Sequence, residues 1–259
     1  GALILDGNAS MTMLSLAKMV PTAISSLMGT VVGVFNPQIT IAYAEDNTEN
    51  LVKIIKSCNR ILIFIMSIPI AFLTAYGRDF YAMWQPTKDA DMLQRLSLLA
   101  VGVLYVSMSI QVLYHVFIIT KKVKWNSLVI LGSGVLSSCL SLLLLKTTDL
   151  GVMVFPLSSM LTGLLRNLIF TPIYAARCLK IRWNRFYGDI LLGWISIGSI
   201  VILGNLSRMV FPVDSWIKLI LTGVVMGPLA LALNFLIILR KEEREMVIGM
   251  LKSRLKGAK

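Results

Sequence analysis

Seven long runs of mostly apolar residues divide this chain and limit the folds open to it. The hydrocarbon core of a bilayer is about 30 Å thick and is crossed by a helix of about 20 residues, so each run is long enough to cross. The runs are too long, and lack the alternation, for the roughly ten-residue strands of a membrane barrel. Because lipid cannot satisfy backbone polar groups, the sequence predicts an all-α, polytopic membrane helical bundle of about seven transmembrane helices. We place the spans near 11–42, 57–76, 97–120, 125–145, 150–176, 188–206 and 215–239.

The composition agrees with a membrane setting and narrows the partners. Hydrophobic residues make up 56% of the chain, charged residues 15%, and mean hydropathy is +0.79. The net charge of +12 falls in short clusters between apolar runs, which favours phospholipid or an anionic substrate over nucleic acid. Cys58, Cys139 and Cys178 have no metal or disulfide-framework spacing, so we expect no metal site and no cofactor. The opening "GALILDGNAS" suggests a piece of something longer.

The basic residues also predict orientation. When alternate loops are assigned to opposite sides, 17 Lys and Arg fall on one side and 6 on the other. Short loops rich in Lys and Arg stay in the cytoplasm. We therefore predict a multi-pass membrane protein with its C-terminus in the cytoplasm and residue 1 outside.

Two of the 25 basic residues, Lys18 and Arg166, are left inside spans. A base near the bilayer centre costs about 2.5–3.5 kcal/mol on insertion scales, and all 13 Asp and Glu fall in loops or at span ends. At helical spacing, Lys18 shares one face with small and polar residues. These are Ser15, Thr22, Ser25, Ser26, Gly29, Gly33 and Asn36.

Two further polar faces follow the same pattern. Arg166 shares a face with Ser159, Thr162 and Gly163, with Asn167 at its edge. Ser107, Gln111 and His115 form a weaker face on the third span. We take Lys18, Arg166, Ser15, Thr22, Ser25, Asn36, Ser159, Thr162, Asn167, Gln111 and His115 as candidate residues of a substrate cavity, and expect no catalytic residue.

Structural explanations for these residues stay open at this point. Small and hydroxyl residues along a membrane helix are also typical of close helix packing. Lys18 can extend to the headgroups, and Arg166 can do the same or bond a backbone carbonyl. A lone histidine such as His115 is often a packed, hydrogen-bonded residue.

Pro21 and Pro37 lie in a first span of about 32 residues, which is longer than a bilayer requires. Each proline removes a backbone donor. We expect the first helix to bend or break near one of them, as helices at the cavity walls of transporters often do.

Segments of the first four spans and of the loops between them resemble a known family. "LAKM", "FNPQIT", "YAEDNTENL", "DFYAMWQPTKDADMLQRLSLLAVG" and "ITKKVKWNS" are similar to successive elements in the C-terminal half of bacterial polysaccharide flippases. These are Wzx-type lipid-linked oligosaccharide transporters of the multidrug/oligosaccharidyl-lipid/polysaccharide exporter superfamily. The resemblance covers most of residues 8–180, and the glycine usual in the family's "A-T-G-K-x-K" element is absent here.

The resemblance implies one lobe of a two-lobed, fourteen-helix transporter of the bacterial cytoplasmic membrane, with a central cavity and alternating access. Residues 1–180 would then form the C-terminal lobe without its first helix, 181–240 an additional transmembrane hairpin, and 241–259 a basic cytoplasmic tail that can lie on the membrane. The implied substrate is a polyprenyl-diphosphate-linked oligosaccharide, carried for a surface polysaccharide such as O-antigen or capsule. Implied partners are membrane lipid, the missing N-terminal half and polysaccharide polymerase machinery.

Two other functions are weighed against the flippase. A multidrug or organic-cation antiporter of the same superfamily calls for buried carboxylates and aromatic residues that face the cavity, and the spans contain no acidic residue in their interior. A membrane-embedded glycan transferase or polymerase calls for a catalytic cluster, and the chain has one His and no metal or nucleophile motif. We therefore expect a transporter and not an enzyme. The sequence leaves the energy coupling of transport open. Coupling can reside in the missing half, use His115, or be replaced by membrane potential and downstream consumption of the glycan.

Overall fold

The computed structural model describes residues 7–239 and 244–245, and everything that follows concerns these residues. They form helices and turns only. The first four helices are α1 (Gly7–Ala44), α2 (Thr48–Trp84), α3 (Ala90–Val101) and α4 (Leu104–Ser107). They are followed by α5 (Leu113–Ile119), α6 (Val123–Thr147), α7 (Val154–Leu165), α8 (Thr171–Cys178), α9 (Tyr187–Val210) and α10 (Trp216–Ile237).

The seven predicted crossings are confirmed, and the chain is a multi-pass, all-helical membrane protein. Seven stretches are long and apolar enough to cross a membrane. They are Ser10–Ala44, Thr48–Trp84, Ala90–Ser107, Val123–Thr147, Gly151–Cys178, Tyr187–Val210 and Trp216–Ile237.

Two predicted boundaries were wrong because polar helix ends were taken for loops. The second helix begins at Thr48 and not near residue 57, and Asn47 caps it by accepting a hydrogen bond from Asn50 N at 3.0 Å. The third begins at Ala90 and not near 97, where Asp89 accepts from the backbone N–H groups of two following residues. Side-chain caps of this kind satisfy the orphan donors of a helix start, so polar residues can extend a helix beyond its apolar window.

The first helix does not break at its prolines. α1 is one continuous α-helix through both Pro21 and Pro37, so of the two expected outcomes, a bend or a break, the break does not occur. A bend without a break stays a prediction. The helix is 38 residues long, about 57 Å at 1.5 Å per residue, and therefore exceeds the thickness of the hydrocarbon core.

The third crossing is a chain of short helices and not the single helix that the sequence predicted. Between α3 and α5, several backbone N–H groups bond the carbonyl three residues back, as in Ser109 N to Val106 O at 3.0 Å and Leu113 N to Ile110 O at 2.9 Å. This tightens the helix toward the 3₁₀ form. The segment is buried and packs so closely on α9 that a side chain at Gly193 would overlap the hydroxyl of Ser109.

α2 is the central helix of the bundle. It packs against α1, α3, α9 and α10, and 61% of its most apolar window is buried. α6 lies at the edge, where it packs mainly on α7 and only 6% of its window is buried. The first, third and fifth crossings meet beside this core, which places the three predicted polar faces close to one another.

The last two helices continue the same bundle. α9 makes its most extensive contacts with α2, and α10 packs on both α2 and α9. The proposed division into a lobe (1–180) and a hairpin (181–240) stays a prediction. The predicted tail, 241–259, lies outside the described residues apart from Arg244 and Glu245.

Candidate functional site

A polar pocket of about 280 Å³ lies between α1, the third crossing and α7. It contains four of the predicted cavity residues, namely Lys18, Thr22, Ser25 and Ser159, and the predicted kink residue Pro21. The other lining residues are Ser26, Leu99, Ala100, Val103, Leu104, Pro156 and Met160. The polar stripe of the first span and that of the fifth therefore meet in one site, which we call the Lys18 pocket.

The Lys18 side chain is exposed in this pocket. Within the described part of the chain, it forms no ion pair and no hydrogen bond. No Asp or Glu lines the pocket. The pocket therefore combines one uncompensated positive charge with four hydroxyl groups.

The polar stripe of α1 does not pack against another described helix. Ser15, Thr22, Ser25 and Ser26 are all exposed. A side chain placed at Gly29 or Gly33 would meet nothing within 4 Å. Close packing inside this chain therefore does not explain the small residues of the stripe, which leaves it available to another partner.

Arg166 lies outside the Lys18 pocket, further along the fifth crossing. It begins a π-helical segment, Arg166–Phe170, that interrupts the fifth crossing between α7 and α8. π segments inside α-helices are frequent at functional sites. Arg166 does not line the pocket, and it follows Ser159 by seven residues, about 10 Å along the helix.

Arg166 bonds side chains of the fourth and fifth crossings and is linked to the third crossing through Asn167. Its Nε donates to Asn167 Oδ1 at 3.3 Å, and its Nη1 lies 3.4 Å from Ser133 Oγ on α6. Asn167 is buried and is the centre of this network. Its Oδ1 also accepts from Tyr114 OH at 3.0 Å, and its Nδ2 donates to Ser107 Oγ at 2.8 Å.

His115 links the third crossing to the C-terminal part of α1. Its Nε2 lies 2.9 Å from Thr40 Oγ1, which in turn donates to Asn36 O at 2.9 Å. His115 is half-buried, so this contact supports the packed, hydrogen-bonded alternative for it. Asn36 and His115 thus lie together, away from the Lys18 pocket.

Three other candidates neither line the Lys18 pocket nor bond the guanidinium of Arg166. Thr162 is buried and donates to Ser158 O at 2.9 Å on its own helix. Gln111 is half-buried, and Ser15 lies on the exposed face of α1 without lining the pocket.

Tyr114 and Ser133 were missed by the sequence reasoning although both bond the Arg166 network. Tyr114 directly precedes His115 and lies about one helical turn after Gln111 and about two turns after Ser107, so an aromatic hydroxyl beside that face was the available signal. Ser133 lies in "GSG" of the fourth span, where nothing local separates it from a packing residue.

Two carboxylates are more enclosed than the sequence suggested. Asp79 lies in the last turns of α2, where Arg208 Nη2 contacts its Oδ1 at 3.0 Å. Asp189 lies in the first turn of α9, is 2% exposed and accepts from Asn59 Nδ2 at 3.2 Å. Both lie near helix ends as predicted, but Asp189 is buried against Asn59 of α2, and Asp79 is half-buried where α2 continues beyond its predicted end at residue 76.

Comparison with known proteins gives one distant relative in sequence. The chain is 26% identical over 235 residues to a protein of Bacillus subtilis (strain 168) described as "Uncharacterized membrane protein EpsK". The match covers 88% of this chain and 45% of the relative, so the chain spans about half the length of the relative it matches. No family model matches the chain, and no solved structure matches it. The protein is thus a multi-pass, all-helical membrane protein that is similar in sequence to part of a longer bacterial membrane protein.

Proposed function

We propose that this chain is the C-terminal half of a flippase that moves polyprenyl-diphosphate-linked oligosaccharide repeat units across the cytoplasmic membrane for surface polysaccharide synthesis. The observation that carries this proposal is the Lys18 pocket. It joins the polar stripes of two crossings around one unpaired base and contains no carboxylate.

The chemistry of the pocket fits an anionic glycolipid. A lysine ammonium attracts phosphate as a point charge. The hydroxyls of Thr22, Ser25, Ser26 and Ser159 can donate to and accept from phosphate or sugar. An anionic partner would also offset the cost of holding Lys18 inside a membrane span.

Arg166 would provide a second anion site deeper in the membrane. Asn167 and Ser133 fix its guanidinium by two bonds, which leaves further N–H donors for a substrate. A guanidinium engages phosphate through a bidentate fork. A phosphate that leaves Lys18 would therefore meet a second, stronger donor about one to two helical turns along the fifth crossing.

An organic-cation antiporter is less well supported. Such a substrate would require a free carboxylate near the cavity. Asp79 and Asp189 are bonded to Arg208 and Asn59, and neither lines the Lys18 pocket.

The exposed stripe of α1 fits a two-lobed architecture. Polar and small residues facing lipid would be unfavourable, and the relative in Bacillus subtilis is about twice as long as the matched region. In the proposal, the other half of the protein supplies the facing wall of the cavity.

Complementation of a flippase-null strain with the full-length protein tests the proposal. Arg166→Gln should abolish export of the polymer, Arg166→Lys should restore part of it, and Lys18→Ala should reduce it. Arg177→Gln is a matched control, because Arg177 lies on the same crossing but is exposed at its end. Surface polysaccharide is measured together with membrane abundance by blot. Normal export by the variant that combines Lys18→Ala with Arg166→Gln would refute the binding role of both bases.

A further inference from the structure

A second, apolar groove of about 560 Å³ runs down the outside of the bundle between α3, α7 and α9. Its wall is formed mainly by large apolar and aromatic side chains. They include Leu98, Tyr105, Val106, Met160, Leu164 and Trp194. We call it the Arg95 groove, after the one charged residue that lines it.

The two hydroxyl groups of the groove, on Tyr105 and Thr74, are already bonded within the protein. Tyr105 OH lies 2.9 Å from Thr74 Oγ1, and Thr74 Oγ1 is 2.7 Å from Ile70 O. The hydroxyls therefore offer little to a sugar or a peptide. An occupant of the lower groove gains mainly by apolar contact.

Arg95 lies at the end of the groove nearest loop 85–89 and is free to bind an anion. Its side chain is exposed and forms no ion pair with any described residue. The nearby carboxylate of Asp91 is taken by Arg78, whose Nε and Nη2 donate to it at 2.7 and 3.3 Å.

The groove has the length of one leaflet. From Arg95 to Val106 the third crossing descends eleven residues, about 16 Å at 1.5 Å per residue. Half of a 30 Å hydrocarbon core is about 15 Å. A molecule with a phosphate at Arg95 and an acyl chain along the groove would therefore end near the bilayer centre, beside Trp194.

We infer that the Arg95 groove is a binding site for an anionic phospholipid of the leaflet that faces loop 85–89, with the phosphate on Arg95 and one acyl chain between α3, α7 and α9. Leu99 and Met160 line both this groove and the Lys18 pocket and form the wall between them. A side chain at Gly102 would overlap Met160, so the wall is closely packed. The lipid site is thus separate from the proposed substrate site and does not depend on it.

Quenching of Trp194 fluorescence by brominated lipids tests this inference in the purified protein reconstituted in nanodiscs. The probes are phosphatidylglycerol and phosphatidylcholine, each brominated near the end of one acyl chain. The difference between the wild-type protein and Trp194→Phe isolates the signal of Trp194 from the other four tryptophans. One basic residue near a membrane surface favours an anionic lipid by roughly fivefold, so half-maximal quenching should need about fivefold less phosphatidylglycerol than phosphatidylcholine.

Three variants sharpen the test. Arg95→Gln should remove the preference, and Arg95→Lys should keep most of it. Lys88→Gln should keep all of it, because Lys88 is exposed on the same side of the bundle but does not line the groove. Equal quenching by both lipids in the wild-type protein, an unchanged preference in Arg95→Gln, or an equal loss in Lys88→Gln would overturn the inference.

Discussion

The interior around α2 and the Lys18 pocket differ in how their polar side chains are paired. In the interior, Asn234 of α10 is fully buried and donates to Ser67 Oγ at 2.7 Å and Phe64 O at 3.0 Å, while its Oδ1 accepts from Ser196 Oγ at 2.6 Å. In the pocket, Lys18 is exposed and has no partner among the described residues.

The basic residues of the two regions differ in the same way. Arg208 of α9 contacts Asp79 Oδ1 at 3.0 Å and donates to Ala75 O at 3.0 Å, so it joins two helices. Lys18 joins nothing, and its helix presents an unpacked face. Polar groups that hold membrane helices together are paired within the protein, whereas an unpaired base on an open face points to a ligand.

The largest expected effect is an all-or-none labelling difference. The Lys18 pocket includes Leu99 and Pro156, which follow the loops at 85–89 and 148–150, so the pocket lies toward that side of the membrane. If the charge count sets orientation, a cysteine at Gln85 should react with an impermeant thiol reagent added from outside, and one at Lys122 should not. Cys139 is exposed and must be replaced first. The reverse labelling would place the pocket on the cytoplasmic side.

Removal of a paired base from the interior should destabilise the protein. Arg208→Ala leaves Asp79 enclosed without its partner, and Asp79 is only 10% exposed at its side chain. Because Arg208 is 32% exposed, we expect a loss of about 1–3 kcal/mol in the free energy of unfolding, below the value for a fully buried pair. Denaturant unfolding in detergent measures it. Adding Asp79→Asn to Arg208→Ala should recover part of the loss, and no recovery would show that the pair does not act as a unit.

Lys18→Ala should have the smallest effect on stability. Because no described residue bonds Lys18, its removal should change the free energy of unfolding by no more than about 0.5 kcal/mol. The same unfolding measurement applies. A loss as large as that of Arg208→Ala would show that Lys18 is a structural residue, and the contrast between the two regions would fail.

Much of the fold could be predicted because each crossing is specified locally. Long apolar runs mark the seven crossings, and caps such as Asn47 and Asp89 are visible in the sequence once helix starts are sought there. The segmented third crossing could not be predicted, since its tight turns depend on contact with Gly193 of α9, over eighty residues away. The π segment at Arg166 likewise has no local sequence signal.

The site was predictable in part for the same reason. Helical spacing alone placed Lys18, Thr22 and Ser25 on one face, and the structure puts them in one pocket with Ser159. Spacing within a helix cannot show which stripes of different helices meet. Helical spacing therefore did not show that Arg166 lies outside the Lys18 pocket. Arg166 is bonded instead to Asn167, which joins it to the third crossing.

Direct binding of a polyprenyl diphosphate to the purified protein tests the central claim, that the Lys18 pocket and Arg166 bind the phosphates of a lipid-linked substrate. Native mass spectrometry can compare polyprenyl diphosphate with the corresponding polyprenol, which has the same tail and no charge. We predict a preference for the diphosphate in the wild-type protein that falls in Lys18→Ala and is lost when Arg166→Gln is added, with Arg177→Gln unchanged. An equal affinity for both lipids in the wild-type protein, or an undiminished preference in the double variant, would contradict the account.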